Sequence, residues 1–538
     1  MENKRLAAGS RDEYGTRLVQ KQQISQTISA TLNAAGFTPI ATPLLERENT
    51  FEHYPTQAVF HLTDQGRERL VLRPDLTLPI ARFLTTGRHE PRFTKLYYLG
   101  DVLKPTDHLS GAYNQETQAG IELIGDDGLA SEIQALDKML YFAQIFGIAD
   151  VQVVLSDARF IPTVLSQITM LAAQRQQLQT AIEAKNVTQF IKYQQAIADF
   201  PTFLSTWPLA FGTAGEAVMW QAQDLPGVAP IVSGWLTLAD YVHTHYPDVA
   251  VTVDLTAAPP QGYYTGTIMR GFVPSLGRYL FSGGRYDALL KDSQGTDLPA
   301  VGMGLNIESI LADWQRQPAE QRPHEPIVVV LGKGRVEQDA RPLLRRAGMD
   351  TSPLNHPERK LVFDSEDQKY RFILVKSDDV IKYLDRGIGD IGIVGSDVIA
   401  EQPNQHHDVL DLQTGRAKFV VAGLADFDDD GQRKKIATKY PKTAQRYFNA
   451  RGEDVELIKL AGSVELGPLT GLSDAIVDIT QSGRTLAENH LQILADVGPV
   501  STHMLVTNGA FLKFQDEITR MITALTQLLA EGETHADY

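Results

Sequence analysis

A proline-rich, charged segment near residue 320 divides this chain of 538 residues into two parts. Residues 314–326 read WQRQPAEQRPHEP, and an apolar run, IVVVLG, follows and leads into a basic turn. Proline and charge between two apolar patterns are typical of a linker, and such a run is typical of a buried strand in a parallel sheet. The sequence therefore predicts one domain at 1–314, a linker at 315–326 and a second domain at 327–538.

The composition excludes several kinds of site. Apolar residues make up 43% of the chain, as in ordinary globular proteins, and cysteine is absent. Disulfides, iron–sulfur clusters, cysteine-ligated zinc and cysteine nucleophiles are therefore excluded. With 50 basic and 66 acidic side chains the formal charge is −16, which opposes binding to nucleic acid because phosphate contacts need positive charge.

The sequence also carries no membrane or export signal. No stretch reaches about 18 uninterrupted apolar residues, the length that a membrane-spanning helix needs. The N-terminal residues are polar and lack the apolar core of a signal peptide. We therefore expect a cytoplasmic protein that does not contact a membrane.

The two parts differ in the order of their predicted elements. In the first part a helical pattern at 15–36 precedes short strand-like runs, and a Gln- and Ala-rich helical insertion occupies 158–223. Strand-like runs return after the insertion, which indicates an α+β domain. In the second part strand-like and helix-like segments alternate, which predicts a parallel α/β architecture with two similar lobes around a ligand cleft.

The strongest chemical signal in the second part is a strand that runs into a hydroxyl-rich turn. Residues 474–486 read DAIVDITQSGRTL, and a helical pattern follows. Free N–H groups and the positive end of a helix dipole at such a turn favour a phosphate monoester. The strand ends near Asp478, which can accept hydrogen bonds from ribose hydroxyls, but an ordinary strand–turn–helix with a capping aspartate fits the spacing equally well. The candidate phosphate-binding residues are Ser482, Gly483, Arg484 and Thr485.

Further motifs across 327–538 resemble the short-form catalytic subunit of ATP phosphoribosyltransferase. In chain order they are KGR at 333–335, SDDVIKYLDRGIGDIGIVG at 377–395, IATKYP at 436–441 and GSVELGPLTGLSDAIVDI at 462–479. The resemblance implies the first step of histidine biosynthesis, in which ATP displaces pyrophosphate from phosphoribosyl pyrophosphate to give phosphoribosyl-ATP. It also implies a two-lobed α/β fold like that of periplasmic binding proteins, and Mg²⁺ brought by the substrates.

The same resemblance implies four catalytic residues. Lys333 and Arg335, with Mg²⁺, would offset negative charge on the leaving pyrophosphate. Glu465 and Asp478 would contact ribose hydroxyls or the metal. The loop at 482–485 would anchor the 5-phosphate and orient the reacting carbon. A solvated basic turn remains the alternative for the two cations, and a helix cap remains the alternative for Glu465.

Segments of the first part resemble histidyl-tRNA synthetase over about residues 10–314, outside the insertion. They are LRPDLT at 72–77, YYLGDVLK at 97–104, QAGIELIG at 118–125, QGYYTG at 261–266, SGGRYD at 282–287 and GMGLNIES at 302–309. The resemblance implies the class II synthetase fold, an antiparallel sheet with helices.

The chemistry of amino-acid activation is not expected here. Arginines of the synthetase correspond in this chain to Lys104, Ala112, Pro259 and Ser309. Lysine does not reproduce the planar, bidentate fork with which arginine holds a phosphate. The resemblance also leaves no room for an anticodon-binding domain, because the phosphoribosyltransferase-like part begins directly after the linker.

The amino-acid pocket of the synthetase persists in the sequence. Its two carboxylates can bind an ammonium group or an imidazole N–H, a threonine and a glutamine can add hydrogen bonds, and tyrosines can enclose an imidazole ring. The candidate histidine-binding residues are Asp75, Thr77, Gln118, Glu122, Tyr263, Tyr264 and Tyr286. The pattern resembles the regulatory subunit of ATP phosphoribosyltransferase, which senses histidine, although each residue alone fits an ordinary core or turn group.

Together the two resemblances predict an ATP phosphoribosyltransferase fused to its own regulatory domain and inhibited by histidine. Two alternatives stay open: an active histidyl-tRNA synthetase with an appendage, and a synthetase-derived binding protein without turnover. The expected partners are ATP, phosphoribosyl pyrophosphate and histidine, and no nucleic acid. Because the synthetase fold usually dimerises, we expect a homo-oligomer, either a dimer or a tetramer.

Overall fold

The chain folds into two compact units, at 1–321 and 322–538. A computed structural model describes residues 6–52, 54–85, 93–106, 113–291, 295–315, 325–355, 360–402, 404–425, 427 and 433–534. Most of the predicted linker, at 316–324, lies outside the described residues, and so does Ala112.

The first unit is built around a large, mostly antiparallel sheet. Its strands are β1 (Thr38–Pro39), β2 (Leu45–Arg47), β3 (Phe60–Thr63), β4 (Arg69–Leu72), β5 (Thr94–Leu103), β6 (Gln115–Ile124), β7 (Gln152–Asp157), β8 (Ala250–Val253), β9 (Thr267–Val273), β10 (Arg278–Arg285) and β11 (Ala300–Asn306). The large sheet has the order β1-β5-β6-β11-β10-β9-β7-β8, and β2-β4-β3 form a small sheet. In the large sheet the β1–β5 and β7–β8 pairs are parallel and the other pairs are antiparallel.

Amphipathic helices complete the core of the first unit. They are α1 (Gly15–Ala34), α2 (Thr77–Thr85), α3 (Ala130–Ile145), α4 (Phe160–Ser166), α5 (Ala172–Glu183), α6 (Val187–Gln194), α7 (Gly212–Ala222), α8 (Ala229–His245) and α9 (Ile307–Gln315). In α1 the fully buried residues Ile24, Ile28 and Leu32 recur every fourth position, which is the spacing of one helix face.

The chain between β7 and β8 is helical, and α4 to α8 lie within it. The helices begin where the insertion at 158–223 is predicted and continue to His245. Trp207 and Trp235 are fully buried there, and their indole N–H groups donate to backbone carbonyls in or next to β8 and β7 at 3.1 and 3.2 Å. The insertion therefore packs into the main core of the unit rather than standing apart from it.

The second unit contains two separate sheets. Its strands are β12 (Ile327–Gly332), β13 (Val362–Asp364), β14 (Tyr370–Val375), β15 (Ile391–Gly395), β16 (His407–Asp411), β17 (Ala417–Gly423), β18 (Lys434–Thr438), β19 (Val455–Lys459), β20 (Ala475–Thr480), β21 (Gln492–Val500) and β22 (Thr502–Val506). One sheet has the order β13-β14-β12-β15-β22-β16, and the other has the order β19-β18-β20-β17-β21. We call them the six-stranded and the five-stranded sheet.

The sheets of the second unit are mixed, whereas the sequence predicts parallel ones. Strands β14, β12 and β15 pair in parallel, as do β19, β18 and β20. Strand β13 pairs antiparallel with β14. The strands β16, β17, β21 and β22 also run against their neighbours, and the chain passes from one sheet to the other after β16 and returns after β21.

The described part of the second unit also contains helices, which lie between its strands or follow the last of them. They are α10 (Arg335–Arg346), α11 (Val380–Asp385), α12 (Ser396–Glu401), α13 (Pro441–Arg451), α14 (Leu466–Leu469), α15 (Arg484–Glu488), α16 (Asn508–Lys513) and α17 (Gln515–Thr534). Helix α12 follows a strand of the six-stranded sheet, and α13 follows a strand of the five-stranded sheet.

A carboxyl group just before β15 is expected to make the stability of the second unit depend on pH. Asp390 accepts a hydrogen bond from the backbone N–H of Val328 at 2.8 Å, and burial raises its pKa from 3.8 to about 6. The folded chain thus keeps this proton to higher pH than the unfolded chain does, so the proton's contribution to stability is lost as pH rises from about 4 to about 6.

The variant Asp390→Asn cannot ionise and should escape this loss. Relative to the parent chain, we expect it to gain about 1.4 kcal/mol of unfolding free energy between about pH 5 and pH 8. Urea unfolding at both pH values measures the difference, and Asp454→Asn, at a largely exposed carboxylate, is the control. If the unfolding free energies of Asp390→Asn and of the parent differed by the same amount at both pH values, the raised pKa of Asp390 would be contradicted.

Candidate functional site

Glycines open a pocket over the large sheet of the first unit. Gln118, Gly120 and Glu122 alternate along β6 and therefore share one face. In the register Gly120 lies between Tyr98 and Gly304, and Glu122 has Gly302 as its neighbour on β11. A Cβ at Gly302 would collide with the Glu122 carboxyl, and one at Gly120 would collide with the Tyr98 hydroxyl. The missing side chains thus make room for a carboxyl and a phenol on the sheet.

Glu122 is the buried centre of this pocket. Its carboxyl accepts a hydrogen bond from the Tyr286 hydroxyl and another, at 2.9 Å, from the Thr77 hydroxyl. Burial raises the pKa of Glu122 to about 7, the nearby charge of Asp75 acts in the same direction, and the two hydrogen bonds act against it. The group therefore changes its protonation state close to neutral pH.

Asp75 is a second buried carboxyl group of the pocket. It accepts hydrogen bonds from the Tyr54 hydroxyl at 2.5 Å and from the Leu78 backbone N–H at 3.0 Å. Burial raises its pKa, while the positive charge of Lys104 acts in the opposite direction. Tyr54 is a pocket residue that the sequence analysis missed, because FEHYP at 51–55 matches none of the quoted motifs.

Tyrosine rings form the remaining wall of the pocket. The Tyr263 ring lies 4.9 Å from that of Tyr264 and 5.9 Å, edge to face, from that of Tyr286. Burial raises the pKa of all three hydroxyls, so they stay neutral hydrogen-bonding groups. The structure thus brings together the predicted residues except Gln118, which is half-buried on the same face of β6 as Glu122.

The positions of the missing synthetase arginines offer little to a phosphate. Ser309 is fully buried, and its hydroxyl donates to the Tyr279 backbone carbonyl at 3.1 Å. Pro259 carries no donor at all. Lys104 is close enough to Asp75 for its charge to lower the pKa of that carboxyl. These positions therefore lack the fixed guanidinium forks with which arginine holds a phosphate.

In the second unit the predicted phosphate loop is an exposed turn before the five-residue helix α15. Gly483 has φ +73° and its N–H donates to the Thr480 hydroxyl at 3.0 Å, while the Arg484 N–H donates to the Ser482 hydroxyl at 3.4 Å. A Cβ at Gly483 would meet open space. This glycine is therefore required by its left-handed backbone rather than by close packing. Thr485, in the first turn of α15, is also exposed.

The predicted basic turn lies between β12 and α10. Gly334 has φ +101°, the Lys333 backbone N–H donates to the Val375 carbonyl at 2.6 Å, and the Lys333 side chain is exposed. Arg335 is 53% exposed and pairs with Asp339, one turn further along α10, at 3.2 Å. Both cations are therefore open to solvent, in agreement with a role at an exposed anionic substrate and equally with a solvated turn.

The two predicted carboxylates of the second unit lie close to each other. Burial raises the pKa of Asp478, in the second half of β20, and the charge of Glu465 acts in the same direction. Glu465 occupies the position before α14, but its side chain makes no capping hydrogen bond there. The positive charge of Lys439 acts on the pKa of Asp478 in the opposite direction.

Lys439 and its neighbour Tyr440 were missed as site residues, although they lie in the IATKYP motif. Lys439 Nζ is 3.5 Å from an oxygen of Asp378. Burial raises the pKa of Tyr440, and the charge of Asp397 acts in the same direction. Among the described residues no group of three or more His, Asp or Glu side chains could hold a metal ion by itself. No helix within the described ranges has the length and apolar character to cross a bilayer.

Comparisons with known proteins match the two units to two families. The family model described as histidyl-tRNA synthetase matches residues 9–310, more than half of the chain. The family model described as ATP phosphoribosyltransferase matches residues 376–527. A crystal structure titled ATP phosphoribosyltransferase regulatory subunit/histidyl-tRNA synthetase, from Bacillus halodurans, superposes with a TM-score of 0.51 at 22% identity, covering 69% of this chain and 99% of that one. At this identity the superposition shows the fold alone.

Two relatives from Lacticaseibacillus casei divide this chain between them. Its ATP phosphoribosyltransferase is 50% identical over 203 residues, which cover 38% of this chain and 96% of that protein. Its ATP phosphoribosyltransferase regulatory subunit is 36% identical over 345 residues, which cover 62% of this chain and 87% of that protein. The predicted resemblances are confirmed: the chain belongs to the histidyl-tRNA synthetase family through a regulatory-subunit-like first unit and to the ATP phosphoribosyltransferase family through its second unit, and it is an ATP phosphoribosyltransferase.

Proposed function

We propose that histidine binds in the pocket of the first unit and inhibits phosphoribosyl transfer in the second. The observation that carries the proposal is the pair of buried carboxyl groups, Glu122 and Asp75, whose hydrogen-bond partners are hydroxyls and a backbone amide. Buried carboxylates are costly unless a cation pairs with them. An α-ammonium group would supply that cation, and the tyrosine wall of Tyr263, Tyr264 and Tyr286 suits a flat imidazole ring.

For the reaction we propose roles that follow the geometry of the second unit. The loop at 482–485 anchors the 5-phosphate of phosphoribosyl pyrophosphate through its N–H groups and hydroxyls. The carboxylates of Glu465 and Asp478 accept hydrogen bonds from the ribose hydroxyls. The exposed cations Lys333 and Arg335 offset charge on the departing pyrophosphate. Adenine N1 of ATP attacks without a general base because it already carries a lone pair.

We further propose that Mg²⁺ reaches this cleft as a complex with the substrates. The carboxylate pair Glu465 and Asp478 fits a metal that keeps most of its ligands from phosphates and water, as Mg²⁺ does. When bound, the ion supplies positive charge to the pyrophosphate oxygens. The six-stranded and five-stranded sheets would form the two lobes of a fold like that of periplasmic binding proteins. The protein itself would be a cytoplasmic homo-oligomer.

A coupled turnover assay tests the proposal on the full chain. Formation of phosphoribosyl-ATP from ATP and phosphoribosyl pyrophosphate is followed with and without histidine, at a fixed Mg²⁺ concentration. We expect turnover that histidine inhibits. Histidine-driven exchange of pyrophosphate into ATP would instead support the synthetase alternative, and histidine binding without any turnover would support the non-catalytic alternative.

The affinity for histidine should rise with pH. Below pH 7 Glu122 holds a proton, which a bound ammonium group must displace, whereas above pH 7 the carboxylate is already charged. Titration calorimetry at constant ionic strength should therefore show a gain of up to about tenfold between about pH 6 and pH 8. In the Glu122→Gln variant residue 122 cannot ionise, so this variant measures the pH dependence of the affinity that comes from histidine itself. A parent dependence no steeper than that of the variant would contradict the role of Glu122.

A further inference from the structure

A short strap of the five-stranded sheet packs against a helix of the six-stranded sheet. The strap, residues 439–443, leads from the end of β18 into the first turn of α13. Helix α12, Ser396–Glu401, follows β15 of the other sheet. Contacts between strap and helix therefore join the two sheets.

The end of α12 caps the beginning of α13. Glu401 accepts hydrogen bonds from the backbone N–H of Thr443 at 2.7 Å, from the Thr443 hydroxyl at 2.8 Å and from the backbone N–H of Lys442 at 3.1 Å. The first N–H groups of a helix lack partners within the helix, and the residue before α13, Tyr440, supplies no side-chain cap. The missing cap thus comes from the opposite sheet, with a negative charge at the positive end of the α13 dipole.

Two more interactions extend this junction toward the predicted cleft. Burial raises the pKa of Tyr440, and the charge of Asp397, four residues before Glu401 on α12, acts in the same direction. Lys439 Nζ lies 3.5 Å from Asp378, which precedes α11 on the side of the six-stranded sheet. The strap thus connects, within a few residues, the helix cap at Glu401 to a lysine beside the carboxylates Asp378 and Asp478.

We propose that Glu401 is a positioning residue for the transfer reaction. By capping α13 from the other sheet, it clasps the two sheets together and holds Lys439 at the edge of the cleft that carries Glu465 and Asp478. If the sheets move apart, the hydrogen bonds at Glu401 break and α13 loses its cap at the same time. The clasp therefore favours a single short distance between the two sheets over a continuous range of distances. The role in the reaction rests on the proposed function of the cleft, whereas the clasp itself does not.

Spin-label distances test the clasp without any turnover. Because the chain has no cysteine, Ile388→Cys and Ala450→Cys, at exposed positions beside α11 and in α13, give a background-free label pair, one on each side. We expect a narrow distance distribution in the parent, a broader or longer one in Glu401→Ala, and a return toward the parent in Glu401→Gln, whose amide oxygen still accepts hydrogen bonds. Glu453→Ala, beside Arg451 at the far end of α13, is the matched control and should leave the distribution unchanged.

Steady-state kinetics then test whether the clasp affects the reaction in the cleft. Glu401→Ala should raise KM for phosphoribosyl pyrophosphate at least about fivefold with a smaller change in kcat, because the binding groups are misplaced rather than removed. If Glu401→Ala does not fold, Thr443→Val replaces it as the test. This isosteric change at a buried position deletes one hydrogen-bond donor and should give a smaller change in the same direction. An unchanged distance distribution in the folded Glu401→Ala or Thr443→Val variant overturns the clasp. If the distance distribution changes but the kinetics stay as in the parent, the positioning role is overturned. If the distances change but the parent chain itself shows no turnover, the result counts against the proposed function.

Discussion

Replacing Glu122 by alanine is expected to raise the histidine concentration for half-inhibition at least about hundredfold, because truncation leaves the ligand cation without its buried ionic partner, a loss of about 3 kcal/mol. The Tyr286 and Thr77 hydroxyls would also lose their acceptor. Uninhibited turnover should stay within about twofold of the parent, because the reaction belongs to the other unit. Initial rates at graded histidine concentrations measure both quantities.

Two companion variants make the Glu122 result specific. Glu122→Gln keeps an acceptor for the two hydroxyls but removes the charge, so it should lose most of the inhibition while keeping the fold. Glu183→Ala, at a half-buried glutamate in α5 of the insertion, should leave inhibition as in the parent. Because coupling between two sites is reciprocal, bound substrates should weaken histidine binding by the factor by which histidine weakens substrate binding. A Glu122→Ala chain that is inhibited at the parental concentration would place the sensor elsewhere.

Replacing Gly483 by valine is expected to lower kcat/KM for phosphoribosyl pyrophosphate at least about hundredfold, chiefly through KM, because two or more contacts to one phosphate would be lost together. At φ +73° a β-branched residue is strained, so the turn should leave the conformation that presents its N–H groups. The open space around this position means that the loss would come from the backbone and not from a steric clash. KM for ATP should change much less.

A second left-handed glycine separates strain from phosphate binding. Gly452 ends α13 at φ +72° and also has open space where a Cβ would lie. Gly452→Val should therefore cost a similar stability, about 1–2 kcal/mol, without the change in KM. Thr485→Ala, which removes one hydroxyl, should raise KM for phosphoribosyl pyrophosphate about tenfold. Equal kinetic losses in Gly483→Val and Gly452→Val would show that stability, and not phosphate anchoring, is affected.

The sequence alone was enough to assign both families and most of the candidate pocket. Motifs such as QAGIELIG and QGYYTG carry their chemistry in local spacing, and the two-residue period of a strand already places Gln118, Gly120 and Glu122 on one face. The helical pattern at 15–36 likewise predicts α1 almost to the residue. The roles assigned to Lys333 and Arg335 stay predictions, because their exposed side chains fit a solvated turn as well.

Tertiary structure decided what local spacing does not encode. Tyr54 reaches Asp75 because the small sheet and α2 bring two segments together, and no motif marks that tyrosine. Glu401 reaches Thr443 across two sheets, and the antiparallel pairs β16–β22 and β17–β21 lie where the chain crosses between those sheets. Periodicity reports which residues share a face of one element. Which faces then meet depends on strand order and register, and these are set by the packing of the whole core rather than by any single segment.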